Sequence, residues 1–315
     1  MISTSNAEDV KVDRHSGMRS KKLFKLLVLL AVIAGAVAAS NAQRASIETV
    51  QFQSKLINAT LPYNVILPPG YRASVTTRYP VLYLLHGFGG HYNDWLTRTN
   101  VADYAAQYQM IIVMPEGNNG WYTDSASVAT DKYESYILRE LIPDVARRYR
   151  VIDSRYGRAI AGLSMGGYGS LKFGLKSPGT FVFAASMSAA VVTSWSDEFL
   201  KKTSKELQDS TTSVFGPANS DTRKANDIAE TIRAMSPSRA SSLPYFYLDC
   251  GTEDMGFSDS TQVVELLRQK RIPHEFRELP GDHNWQYWDQ QIPVVLGIAA
   301  EKLRAARSVK RISRR

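Results

Sequence analysis

Short, wholly apolar runs recur along the chain and alternate with stretches in which apolar residues return every three to four positions. Val81-Leu82-Tyr83-Leu84-Leu85, within Pro80–His86, and the run from Met110 to Met114 leave no polar face. Strands of this kind belong in the middle of a parallel sheet, covered by helices on both sides. Between them Asp94 to Tyr108 predicts a helix. Residues 131–149 predict another, with Tyr133, Tyr136, Ile137, Glu140, Leu141 and Val145 near a 3.6-residue spacing and Pro143 placed to bend it. The rhythm continues with a strand at Arg158 to Ala161, a helix from Met165 to Lys176 and a strand at Phe181 to Met187. It resumes with a strand at Tyr245–Cys250, a helix from Ser258 to Lys270, a strand at His274 to Glu278 and a last helix from Trp285 onward. Such alternation predicts an α/β fold, a mostly parallel central sheet with helices on both faces. Upstream, Ser46 to Leu67 reads as two strands ended by Pro68-Pro69-Gly70, a hairpin at the sheet edge. Residues 193–242 are rich in Ser, Thr and Lys and predict short helices, so 189–242 is expected to be an insertion or small lid.

The N-terminal pattern is different. Met18-Arg19-Ser20-Lys21-Lys22 precedes an apolar run from Leu26 to Ala39, and Ser40-Asn41-Ala42 offers small residues at a cleavage site after Ala42. That is the layout of a signal peptide. An uncleaved anchor is the alternative, because the run approaches the roughly 20 residues that span a bilayer. Translation starts at Met1 or, if residues 1–17 are an upstream leader, at Met18. The expected organisation is a leader and signal peptide over 1–42, one domain over 43–303 and a basic tail over 304–315. Export to the periplasm or the exterior follows from it, with no stable membrane insertion after cleavage.

A net charge of +8 invites a nucleic-acid reading until the charges are located. The chain has 38 Lys and Arg against 30 Asp and Glu; residues 1–42 hold six cations and three acids, and 302–315 hold seven cations and no acid. The remainder is slightly acidic, so no nucleic-acid partner is expected, and the tail reads as a solvated helix end. Cys250 is the only cysteine, which excludes an intramolecular disulfide, and its apolar setting predicts a buried strand residue.

The chemistry concentrates in three loops that follow predicted strands. Gly162-Leu163-Ser164-Met165-Gly166 joins a strand to a helix, where a serine on a sharp turn has its hydroxyl exposed and the flanking glycines remove colliding side chains. Ser164 is the candidate nucleophile. It needs a base to take its proton, and His283, in Gly281-Asp282-His283-Asn284-Trp285 after the last strand, is placed for that. A carboxylate orienting the imidazole is expected between the two in the chain. Asp254 in Gly251-Thr252-Glu253-Asp254 is the candidate, Glu253 the alternative; Asp259 falls inside a helix and Asp249 reads as structural. An oxyanion would be met by the Met165 N–H and by Phe88 in His86-Gly87-Phe88-Gly89-Gly90. His86 and His91 lack further ligands at metal spacing, and neither a dinucleotide fingerprint nor a Walker loop is present. No metal or cofactor is expected.

From about Ser46 to Leu303 the chain resembles the esterase D or "putative esterase" family, which includes feruloyl, acetyl xylan and tributyrin esterases, S-formylglutathione hydrolases and mycolyltransferases. The resemblance rests on His86-Gly87-Phe88-Gly89-Gly90 with Asn93-Asp94-Trp95, on Pro115-Glu116-Gly117 with Trp121-Tyr122-Thr123-Asp124, and on the Ser164 elbow. Gly251-Thr252-Glu253-Asp254 and Gly281-Asp282-His283-Asn284-Trp285 with Trp288 complete it. It implies an α/β-hydrolase fold, Asp254 as the acid, and the Phe88 backbone as an oxyanion donor. Mycolyltransferases instead take a glutamate farther along the chain. Trp121 and Tyr122 are implied to line the acyl or alcohol side of the cleft, with packing under a loop as the alternative. The implied activity is hydrolysis of acyl esters, small or polysaccharide-linked, through an acyl-serine. Acyl transfer to a sugar hydroxyl is a second expectation, and a non-catalytic carbohydrate-binding module a third.

Overall fold

Alternation along each strand decides which face of the sheet a residue serves. In β3 (Val81–Leu85), Val81, Tyr83 and Leu85 join one buried cluster while Leu82 and Leu84 join another. β4 (Ile111–Pro115) divides in the same way, Ile111 and Val113 against Ile112 and Met114. A strand without polar residues needs cover on both faces, and here it has it. The computed structural model describes residues 45–191, 195 and 197–312; the expected leader and signal peptide of residues 1–42 lie outside the described residues, as do the last three residues of the basic tail.

Among the described residues, eight strands form one sheet. They are β1 (Ser46–Ser54), β2 (Ala59–Leu67), β3, β4, β5 (Arg158–Leu163), β6 (Phe183–Met187), β7 (Tyr245–Gly251) and β8 (His274–Leu279), in the order β1-β2-β4-β3-β5-β6-β7-β8. β1 and β2 make the edge hairpin with Ser46 opposite Leu67, and β2 runs antiparallel to β4. From β4 through β3 to β8 every neighbour is parallel, so their carboxyl ends share one rim. Loops at that rim carry Gly87, Ser164, Asp254 and His283.

Helices cover both faces. α1 (Asp94–Arg98) and α2 (Val101–Ala105) follow β3, and α3 (Tyr133–Tyr136) and α4 (Ile142–Arg148) follow β4. α5 (Met165–Lys176) follows β5, and the insertion contains α6 (Asp197–Lys201), α7 (Lys205–Phe215), α8 (Asp221–Ala225), α9 (Ile228–Arg233) and α10 (Pro237–Ala240). α11 (Phe257–Gln269) and α12 (Trp285–Ile312) complete the set. α3, α4, α5, α9 and α11 pack on one face, and α1, α2 and α12 on the other. No helix among the described residues is long and apolar enough to cross a membrane.

Two details differ from the periodicity. The helix expected over Asp94 to Tyr108 is broken at Thr99, which is extended, because the Asn100 N–H turns to Asp289 Oδ1 at 2.9 Å on the distant α12. Residues 137–141 form a π turn between α3 and α4, closed by Ile142 N–H to Ile137 O. The extra residue precedes Pro143, whose ring and missing N–H an unbroken helix accommodates poorly. At the other end α12 runs past Leu303 to Ile312, with Lys302 over the Tyr245 ring at 3.9 Å and Lys310 over Tyr156 at 4.7 Å.

Candidate active site

Ser164 sits between β5 and α5 with φ 52° and ψ −116°, a strained conformation for a residue with a side chain. The surrounding glycines explain how the chain gets there. A β-carbon on Gly166 would lie 2.6 Å from the carbonyl oxygens of both Leu85 and His86, and one on Gly162 would lie 2.5 Å from the Gly166 backbone. Three backbone segments therefore pass within contact of each other at the rim, and Ser164 stands where they meet. The residue is largely buried, 8% exposed.

The second and third groups arrive from the loops after β7 and β8. His283 Nε2 is 2.9 Å from Ser164 Oγ, while its Nδ1 is 3.0 and 3.1 Å from the two Asp254 oxygens. A carboxylate only accepts, so Nδ1 carries the proton and Nε2 is left with a lone pair facing the serine hydroxyl. Burial by itself would raise the Asp254 carboxyl, but the hydrogen bond and charge of His283 and the Gly256 N–H at 2.7 Å outweigh it and hold the group below its ordinary value. Glu253 does not reach the imidazole. Its Oε2 accepts the Gly281 N–H at 2.5 Å, tying the two loops together. Asp259 accepts from the Trp195 indole at 2.5 Å, and Asp249 is buried with Oδ1 on the Tyr287 hydroxyl at 3.1 Å.

The loop after β3 lies against the serine: a β-carbon on Gly87 would be 3.4 Å from Ser164 Cβ. His86 orients this loop. Its Nδ1 lies 2.8 Å from Gly87 O, an acceptor, so Nδ1 carries a proton, and its Nε2 is met by Gly117 N–H at 2.9 Å. Gly87 C=O and Phe88 N–H belong to one trans peptide and point in opposite directions. Fixing the carbonyl on His86 therefore fixes the Phe88 N–H away from it. Met165 opens α5, where an N–H has no carbonyl a turn behind it.

Two clefts meet at Ser164, Phe88 and His283. One, of about 220 Å³, is apolar, walled by Trp121, Ala189, Ala190, Trp195, Leu207 and Met255. The other, of about 370 Å³, is more polar and includes Asp94, Arg98, Asn284, Trp285 and Trp288. Trp121 lines the first, its indole N–H donating to Ser210 Oγ at 3.0 Å and its ring 5.9 Å from Phe88. Tyr122 lines neither: it is wholly buried, its ring wedged against Gly117 and Gly169 and its hydroxyl donating to His86 O at 3.1 Å. The expected role at the cleft wall is corrected to packing beneath the His86 loop, the alternative already implied for this aromatic pair. Sequence reasoning did not reach Ala189, Ala190, Trp195, Leu207 and Arg98, since none has a local signature. Met255 was missed as well, although its place next to Asp254 in the chain is a signal that could have found it.

Known proteins similar to this chain in sequence and fold are esterases. Over 259 residues the chain is 26% identical to the acetyl esterase of Caldicellulosiruptor saccharolyticus, covering 78% of this chain and 95% of that enzyme. It is 33% identical over 254 residues to Esterase Rv1288 of Mycobacterium tuberculosis, covering 74% of this chain and 54% of that longer protein. A solved ferulic acid esterase superposes with a TM-score of 0.70 at 27% identity, over 82% of this chain and 99% of that one. The profile of the family described as "Putative esterase" matches residues 54–297, and the chain belongs to that family.

Proposed function

We propose that this serine carboxylesterase hydrolyses acyl esters of carbohydrates through an acyl-Ser164 intermediate. The observation that carries the residue roles is the continuous relay from Asp254 through His283 to Ser164, with Nε2 at 2.9 Å from Oγ. In the first half-reaction the Oγ proton passes to His283 Nε2 as Oγ bonds the acyl carbon. The resulting oxyanion lies against the N–H groups of Phe88 and Met165. Collapse breaks the bond to the alcohol oxygen, which leaves with the proton from Nε2. In the second half-reaction His283 takes a proton from water, the hydroxide oxygen bonds the acyl carbon, and Ser164 recovers its proton as the acid departs.

The apolar cleft suits the acyl group and the polar cleft the alcohol. Names of the relatives matched along most of the chain, acetyl esterase and ferulic acid esterase, support a carbohydrate ester as the substrate class. Transfer to a sugar hydroxyl would use the same intermediate, and the complete relay argues against a non-catalytic module. Export through the leader of residues 1–42 fits an enzyme acting on extracellular esters; N-terminal sequencing of the protein recovered from culture medium or periplasm tests it, with cleavage after Ala42 expected. For the chemistry, a fluorophosphonate is expected to label Ser164, and Ser164→Ala to abolish both labelling and p-nitrophenyl acetate turnover while the fold is kept. Free acid is expected to dominate over transfer product at modest sugar concentration.

A further inference from the structure

The polar cleft beside Ser164 holds a cation with unused donors. Arg98 ends α1, and its side chain is 55% exposed; Nε lies 3.7 Å from Asp94 Oδ1, and the guanidinium carbon lies 5.6 Å from the centre of the Trp285 ring. At 3.7 Å the carboxylate attracts the guanidinium without accepting a hydrogen bond from it. None of its N–H groups donates to another of the described residues. Asp94 Oδ2 accepts the His91 N–H at 3.1 Å, so the carboxylate is anchored to the loop after β3 on one side and aims the arginine on the other. Trp285 is itself held edge-on by Trp95 at 5.4 Å and Trp288 at 5.2 Å. With Arg98 over one face of the indole, this wall of the cleft offers a bound alcohol a guanidinium fork rather than a bare ring.

A guanidinium fork at this wall of the cleft matches two oxygens of a carboxylate or phosphate at once. We propose that Arg98 sets the specificity of the alcohol half of the ester, favouring alcohols that carry an anionic group, a sugar carboxylate or sugar phosphate, over their neutral counterparts. The inference rests on the esterase reading and deepens it. Among the described residues no Lys or Arg lines the apolar cleft, so a guanidinium partner for an anion is found on the polar side. Asp94 largely offsets the charge of Arg98 at a distance. The recognition is therefore short-ranged, acting on a bound alcohol rather than drawing it in from solution.

The test uses three acetyl esters on one methyl galactopyranoside framework, acetylated on the same ring hydroxyl, in which C6 is a free hydroxymethyl group, a carboxylate or a phosphorylated hydroxymethyl group. Native enzyme is expected to hydrolyse at least one anionic ester with kcat/KM about tenfold above the neutral one. Arg98→Gln is expected to bring that ratio close to one, and Arg98→Lys to leave an intermediate value because it keeps the charge without the fork. The carboxylate and phosphate arms distinguish the two anions. Equal kcat/KM for all three esters with native enzyme, or a preference that survives in Arg98→Gln, overturns the proposal. Turnover of p-nitrophenyl acetate by native enzyme and its loss in Ser164→Ala keep the two readings separable; absence of that turnover overturns the esterase reading, and this one with it.

Discussion

The Glu253 carboxylate accepts the Gly281 N–H at 2.5 Å, and the Gly281 carbonyl accepts the Glu253 N–H at 3.0 Å in return. Glu253 thus fastens the loop that carries His283, while its neighbour Asp254 takes the imidazole itself. The two adjacent carboxylates are separable by substitution. Asp254→Asn is expected to lower kcat on p-nitrophenyl acetate by about 10³- to 10⁴-fold, since the amide favours the wrong imidazole tautomer. Glu253→Gln keeps an acceptor oxygen for Gly281 and is expected to lose less than about tenfold. The opposite ranking would move the acid role to Glu253.

Crowding at the rim makes a second prediction, on Gly166. An alanine there places its methyl 2.6 Å from two backbone carbonyls, which belong to β3 and the His86 loop and cannot turn aside as a side chain can. Gly166→Ala is expected to cost about 2 kcal/mol of stability and to displace the loop bearing Phe88, with fluorophosphonate labelling slowed accordingly. At Gly179 a methyl would meet nothing within 4 Å, so Gly179→Ala serves as the control and is expected to melt with the native protein. Parallel thermal unfolding and labelling rates decide it.

What could be read from sequence followed from how local each determinant is. Ser164 and its glycines lie within five residues of one another, and the strained turn leaves its mark on the sequence itself. The fully apolar strands announced a sheet covered on both faces for the same reason. Arg98 and Trp285 are far apart in the chain, and nothing near either one shows that they share a cleft. Tyr122 was misplaced because burial beneath His86 is decided by Gly117 and Gly169, whose lack of side chains opens the space its ring fills. The break after α1 likewise depends on Asp289, almost two hundred residues on.

Asp249 gives stability a dependence on pH. Burial pushes its carboxyl up to about 7, against the Tyr287 hydrogen bond, the nearby Tyr247 hydroxyl and the charge of Arg277, which favour ionisation, while the charge of Asp254 adds to the rise. Unfolded, the same group titrates near 3.8. Between about pH 4 and pH 7 the folded chain holds a proton that the unfolded chain has released, so this residue's contribution to stability falls as pH rises through that window. Asn is the shape of the neutral acid without its titration. Asp249→Asn is expected to flatten the decline in melting temperature between pH 5 and pH 8, with the largest gain over native protein at the alkaline end. A pair of parallel curves would remove Asp249 as the cause.

Lys172 sits wholly buried in α5, with Nζ donating to Tyr122 O at 2.7 Å, Thr123 Oγ1 at 2.7 Å and Glu134 Oε2 at 2.9 Å. All three of its donors are used, which is the condition for keeping an ammonium away from water. Burial still lowers it to about 8, with Glu134 opposing the fall. Removing the carboxylate alone strands the charge, so Glu134→Ala is expected to cost about 3 kcal/mol or more. Lys172→Met fills the same space without a charge and is expected to cost less, although Tyr122 O and Thr123 Oγ1 lose their donor. The sign of the pH effect follows from the lowered value: between about 8 and 10.5 the unfolded chain holds the proton more firmly, so the Lys172 contribution to stability rises with pH there, and Lys172→Met removes that rise. Because the lysine ties α5 to the segment that also carries Trp121, both variants are expected to raise KM for acyl groups that fill the apolar cleft more than they lower kcat. Denaturant unfolding at pH 7 and pH 9.5, with kinetics on a short and a long acyl ester, checks the order of the two variants; a costlier Lys172→Met would mean that the hydrogen bonds to the loop, not the buried charge, dominate at this site.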